Sequence, residues 1–147
     1  MKDALIEIYS RDILKLKDEV NTYKDESSLW VTEENISNSA GNLCLHLVGN
    51  LNHFIGAVLG KNGYVRKRDD EFALKNIPLN ELIDKIEKTK IVVMNTLTAM
   101  AENDFALDFP EKKNDKILRT DFMLFHLLAH LSYHLGQINY HRRLIEK

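Results

Sequence analysis

Residues 121–147 read DFMLFHLLAHLSYHLGQINYHRRLIEK, and no other stretch limits the folds open to the chain as strongly. Met123, Leu127, His130, His134, Ile138 and His141 recur at steps of three and four and fall on one helical stripe. His130 and His134 stack on the same face one turn apart, the spacing with which a helix offers two nitrogen ligands to one ion. A third ligand has to come from elsewhere in the chain.

The rest of the sequence supplies helices to face this one. Over residues 2–23, Leu5, Ile8, Tyr9, Ile13, Leu16 and Val20 alternate with charged residues at helical steps, which predicts an amphipathic helix. Residues 24–38 lose the pattern and read as a loop whose Trp30 docks on the end of the bundle. A second helix starts near Ser37 or Ser39, either able to cap free backbone N–H groups, and runs to about Gly60. Leu43, Leu47, Leu51, Phe54, Ile55, Val58 and Leu59 fill most of its circumference. The remaining arc holds His46, Gly49, Asn50, His53, Gly56, Ala57 and Gly60, small enough to admit a neighbouring helix or to leave room for a ligand. Residues 61–78 have no sustained period. Connections inside bundles usually take about two to eight residues, so this longer one implies a crossover between helices pointing the same way. A third helix follows over residues 79–100 with Pro78 at its entrance. After a polar loop, Thr120 can cap the fourth, with Asp121 at its start and Arg142, Arg143 and Lys147 at its end matched to the helix dipole. The fold expected is all-α, one domain over residues 1–147: a four-helix bundle with a long crossover between helices two and three.

All six histidines lie on the second and fourth helices, as a site built between facing helices requires. Burying several imidazoles together without partners is costly, which puts a shared metal site on an equal footing with a set of hydrogen-bonded polar core histidines. No Glu has a His three residues later, and no His-Glu-x-x-His occurs, which removes the carboxylate-bridged di-iron and zinc-protease arrangements. Cys44 is about 200° around the helix from His46 and reads as a buried, inert thiol. Either His46 or His53 can complete the site, because seven residues bring the chain back to within about 20° on the wheel. Asn50 and Gln137 lie near the same faces, able to support the ligands, touch a substrate or bond helix to helix.

The runs His46-Leu-Val-Gly49-Asn50-Leu-Asn-His53-Phe and His130-Leu-Ser-Tyr-His134-Leu-Gly136-Gln137-Ile138 resemble the DinB-like superfamily of metal-binding four-helix proteins, which is unrelated to the translesion polymerase of similar name. The resemblance implies a bundle with a long link between helices two and three, a homodimer, and a divalent metal, zinc or nickel, held by His46, His130 and His134. The run containing Arg66, Arg68, Glu71 and Phe72 resembles one branch of that superfamily. Three neutral ligands leave a divalent ion with an open position, as in catalytic zinc sites. Some relatives of this type resemble S-transferases or isomerases that use a low-molecular-weight thiol. The activity implied is therefore a metal-dependent transferase acting on a small molecule, its pocket shaped by the Gly-containing face of the second helix. The alternatives are a metal-dependent hydrolase, for which no residue reads as a general base, and a non-catalytic metal-binding or stress-associated bundle.

Charge argues against other partners. Twenty Lys and Arg against 22 Asp and Glu leave a formal charge of −2, so no whole-chain field draws nucleic acid or an anionic membrane. Arg66, Lys67 and Arg68 are cancelled at once by Asp69, Asp70 and Glu71 and read as a solvated loop with weak local ion pairs. A subsidiary reading folds Arg66 or Arg68 back over the metal pocket to hold a carboxylate. The longest apolar runs are broken by His, Asn and Gly and do not match a bilayer span. The acidic residues near the N-terminus do not match a signal peptide, and one cysteine fits a reducing compartment, so a cytoplasmic protein is expected.

Overall fold

The apolar steps in the sequence become four long helices, joined by shorter helical turns. The computed structural model describes residues 1–147 and contains no strands. Helix α1 spans Lys2–Thr22, α2 Ala40–Leu51, α3 Arg68–Ala73, α4 Leu79–Ala99 and α5 Thr120–Ile145. Single 3₁₀ turns occupy Glu26–Trp30 and Glu102–Ala106. Ser39 caps α2, its hydroxyl accepting from the Asn42 N–H at 3.2 Å.

Directions follow from the contacts between helices. Lys2 at the start of α1 donates to the carbonyls of Thr98 and Met100 at the end of α4, at 2.7 and 2.6 Å. These two helices are antiparallel. Tyr9 donates to the Leu124 carbonyl at 2.6 Å and Arg142 donates to Glu19 at 3.1 Å, so α1 and α5 run together. Asn52 donates to Thr89 at 2.8 Å, and Gly56 lies against Val92, so α2 and α4 point the same way. Helix α2 lies antiparallel to α5, with His46 opposite His130 and His134. One cluster of 26 buried apolar residues, from Leu5 to Ile138, joins all four. No helix is long and apolar enough to cross a membrane.

Several local expectations need correction. Residues 61–78 contain a fifth helix, α3, too short to show a period. It is held because Asn42 on α2 donates to the carbonyls of Glu71 and Leu74 at 2.9 and 2.8 Å. The second helix does not continue as α to Gly60: from Asn52 to Leu59 it widens into a π-helical segment, a form often met at functional sites. Residues 24–38 hold a 3₁₀ turn capped by Asp25, with Leu29 fully buried and the Trp30 ring lying on Gly41. Thr120 does not cap α5. It is the buried first residue of the helix, and Arg119 occupies the cap position without a side-chain bond.

Candidate metal centre

Helix α2 presents His46 and helix α5 presents His130 and His134, and their ligand atoms all lie within 4.8 Å of one another. His130 Nε2 is 3.1 Å from His46 Nε2 and 3.1 Å from His134 Nε2. The rings meet edge to face, with centroids 4.5 to 5.3 Å apart.

What holds the outer nitrogens decides where the lone pairs point. His46 Nδ1 is 3.0 Å from Glu71 Oε1, and an imidazole nitrogen facing a carboxylate at that distance carries the proton. Its Nε2 lone pair is thereby turned toward α5. His134 Nδ1 donates to Gln137 Oε1 at 2.6 Å, with the same effect on its Nε2. His130 Nδ1 is buried without a hydrogen-bond partner in the protein. A proton on His130 Nε2 can serve only one of the two facing lone pairs at a time. A divalent cation, which takes imidazole nitrogens at about 2 Å, satisfies all three. This set of nitrogen donors, pre-aimed at one point, could hold a metal ion.

Burial, helped by the charges of His134 and His46, pulls the His130 imidazolium down to about 3 from 6.5. Burial lowers His134 as well. The unfolded chain therefore binds protons between these values that the folded chain refuses. Stability is full above about pH 6.5 and falls as pH drops from 6.5 toward 3. Urea unfolding of metal-free protein at pH 7.5 and pH 5 should show the loss at pH 5, with a shallower slope in His130→Ala. A flat profile would count against the packing of this ring.

The support for His46 comes from the segment between α2 and α4. Burial pushes the Glu71 carboxyl up, but hydrogen bonds from His46 and Arg66, with the charge of Arg66, outweigh it and hold the group below its usual range. Arg66 donates from Nε to Oε2 at 2.8 Å and from Nη2 to Oε1 at 2.9 Å. This corrects the reading of a solvated run at its two ends, where the side chains of Arg66 and Glu71 are 13% and 7% exposed, while residues 67–70 between them are exposed as expected. Arg66 does fold back to hold a carboxylate, and the carboxylate is the protein's own. Arg68 stacks on Phe72 at 5.6 Å, and Phe72 packs on the His46 ring at 5.0 Å.

The remaining candidates are placed as follows. His53 does not join the cluster. Seven residues of helix carry it about 10 Å along the axis from His46, where its Nε2 meets Glu111 at 3.0 Å. Asn50 is buried with Oδ1 unpartnered, so it makes no bond through that oxygen to another helix. His126 is exposed beside Lys113 and takes no part in the cluster. His141 lies outside the cluster: it is buried, with Nδ1 accepting from Tyr23 Oη at 2.7 Å and Nε2 donating to the Val31 carbonyl at 2.8 Å. Cys44 is fully buried and its thiol is pushed up to about 12, as expected of an inert group. At Gly49 and Gly56 the glycine face of the second helix is filled by the chain itself. A Cβ on Gly49 would lie 1.9 Å from Glu71 Oε2, and one on Gly56 would lie 2.9 Å from Val92. Sequence reasoning missed Glu71 and Glu111 as histidine partners. The signal for the first was a glycine three residues after His46 together with an Arg and a Glu in the crossover.

Fold and site together define an all-helical protein with a three-histidine group able to hold a metal ion. Residues 8–147 match the family described as "Protein of unknown function (DUF1572)", and the chain belongs to that family. No curated protein matches it.

Proposed function

We propose that the protein is a divalent-metal-dependent enzyme of the DinB-like four-helix type, acting as a thiol-dependent transferase or isomerase on a small molecule. The observation that carries this reading is the convergence of three Nε2 atoms, two of them aimed by hydrogen bonds on the far side of the ring. His46, His130 and His134 are the ligands and zinc or nickel the ion. When bound, the cation supplies Lewis acidity and lowers the pKa of a thiol or water beside it. The protein's residues hold the three imidazoles oriented, and burial favours the neutral form of His130 and His134. Gln137, which bonds His134 on its Nδ1 side, also lines a crevice of about 250 Å³ with Asn35, Ser37, Leu43 and Tyr140. A homodimer belongs to the same reading.

The hydrolase alternative needs a general base within hydrogen-bond reach of the reacting water, directly or through one further water. His53 paired with Glu111 has the right chemistry, but about 10 Å of helix separates it from His46. That distance favours the transferase.

The test is metal analysis of the purified protein beside a His46→Ala, His130→Ala, His134→Ala triple variant, followed by turnover of an electrophile with a panel of thiols. About one metal per chain, lost in the variant, and a thiol-dependent rate abolished by chelation are expected. Equal metal in both proteins sinks the site. Metal at the site with no turnover, and a large fall in melting temperature on chelation, assigns it a structural role instead.

A further inference from the structure

The segment between α2 and α4 does more than return the chain. Four of its side chains converge on one ligand: Glu71 accepts from His46 Nδ1 at 3.0 Å, Arg66 grips both oxygens of that carboxylate, Phe72 packs on the imidazole face, and Arg68 stacks on Phe72. Helix α2 is cut to receive them. Gly49 leaves the space that the Glu71 carboxylate fills, and Asn42, a turn before His46, ties down the Glu71 and Leu74 carbonyls. Nothing comparable supports His130, whose Nδ1 is without a partner, or His134, whose partner Gln137 is uncharged and lies on the same helix.

We propose that Glu71, clamped by Arg66 and seated over Gly49, is the positioning residue of the metal centre. It fixes His46 in the Nδ1–H tautomer, so that the Nε2 lone pair faces His130 and His134 before any ion arrives. Arg66 Nη2 also approaches His46 Nδ1, at 3.4 Å, but its 2.9 Å bond to Glu71 is the shorter, so the guanidinium orients the carboxylate and the carboxylate orients the ring. A charged acceptor behind a ligating imidazole strengthens it as a donor. Removing such a partner typically lowers metal affinity about 10- to 100-fold.

The inference rests on the metal-site reading above, and its test separates the two. Zinc affinity is measured by competition with a chromophoric chelator for the wild type, Glu71→Gln and Arg66→Lys, with helix content followed by circular dichroism. The His46 tautomer is read in the metal-free proteins from long-range ¹H–¹⁵N correlations. Glu71→Gln is expected to keep the helical signal, lose about tenfold or more in zinc affinity, and move His46 toward the Nε2–H form. Arg66→Lys, which keeps a charge but loses the two-bond grip, is expected to lose less. Affinity within twofold of wild type, or an unchanged tautomer, overturns the proposal. So does a loss of affinity matched by a loss of helix in both variants, since Glu71 is then a purely structural residue. If the wild type binds no zinc, the metal-site reading fails, and the tautomer measurement still decides what Glu71 does to His46.

Discussion

Replacing His130 by alanine is expected to abolish the stabilisation of the protein by zinc while leaving the metal-free protein close to its original melting temperature. His130 is the common neighbour of the group, 3.1 Å from each of the other two Nε2 atoms. Without it two imidazoles remain, on different helices, with no third donor between them. Binding to the folded state alone contributes about 2.7 kcal/mol at a free zinc concentration 100 times the Kd. For a chain of this size that is a rise of roughly 5–10 °C. The wild type should show this rise and the variant should not. The metal-free effect is small for a physical reason: His130 Nδ1 has no partner to lose, its Nε2 serves only one of two facing lone pairs at a time, and burial already disfavours its charged form. Thermal melts with and without zinc check both halves. A variant that still gains the full rise removes His130 from the site.

Helices α1, α4 and α5 were readable from the sequence because each carries apolar positions at helical steps over five or more turns. The boundaries of α1 and α4 lie within a residue or two of where the pattern stops. The partition of histidines between two helices was readable for the same reason. The choice between His46 and His53 was not, because periodicity reports angle and says nothing of height. The two differ by about 20° around the axis, and only the level at which α2 crosses α5 separates them. Glu71 was hidden in another way. Its contacts with His46 and Asn42 span 25 and 29 residues, and an Arg-Lys-Arg-Asp-Asp-Glu run carries no mark distinguishing a buried pair from a solvated one. Helix α3 has six residues, fewer than two turns, and draws its stability from α2 and not from its own pattern. Gly49 reads from sequence as room for either a neighbouring helix or a ligand, and what fills the space is the side chain of Glu71.

His141 tests whether position on a stripe can be told apart from role. It shares the α5 stripe with His130 and His134, yet His141→Ala is expected to destabilise the fold and leave zinc affinity unchanged. The ring joins three segments: Tyr23 at the end of α1 donates to Nδ1, and Nε2 donates to the Val31 carbonyl in the link that leads to α2. With both nitrogens engaged and the side chain buried, no lone pair is left for an ion. Truncation removes a packed ring, leaves the Val31 carbonyl without its donor, and leaves Tyr23 only its 3.3 Å contact with the Ile138 carbonyl. A lost buried hydrogen bond and the cavity together cost about 2–4 kcal/mol, or roughly 5–15 °C in melting temperature. Burial already raises the Tyr23 phenol well above its usual value, so its hydroxyl stays protonated and continues to need an acceptor. Thermal melts and chelator competition on His141→Ala and His134→Ala should separate the two roles. The first variant loses stability and keeps zinc, the second loses zinc with a smaller change in the metal-free melt, and the reverse pattern would exchange the roles of these two histidines.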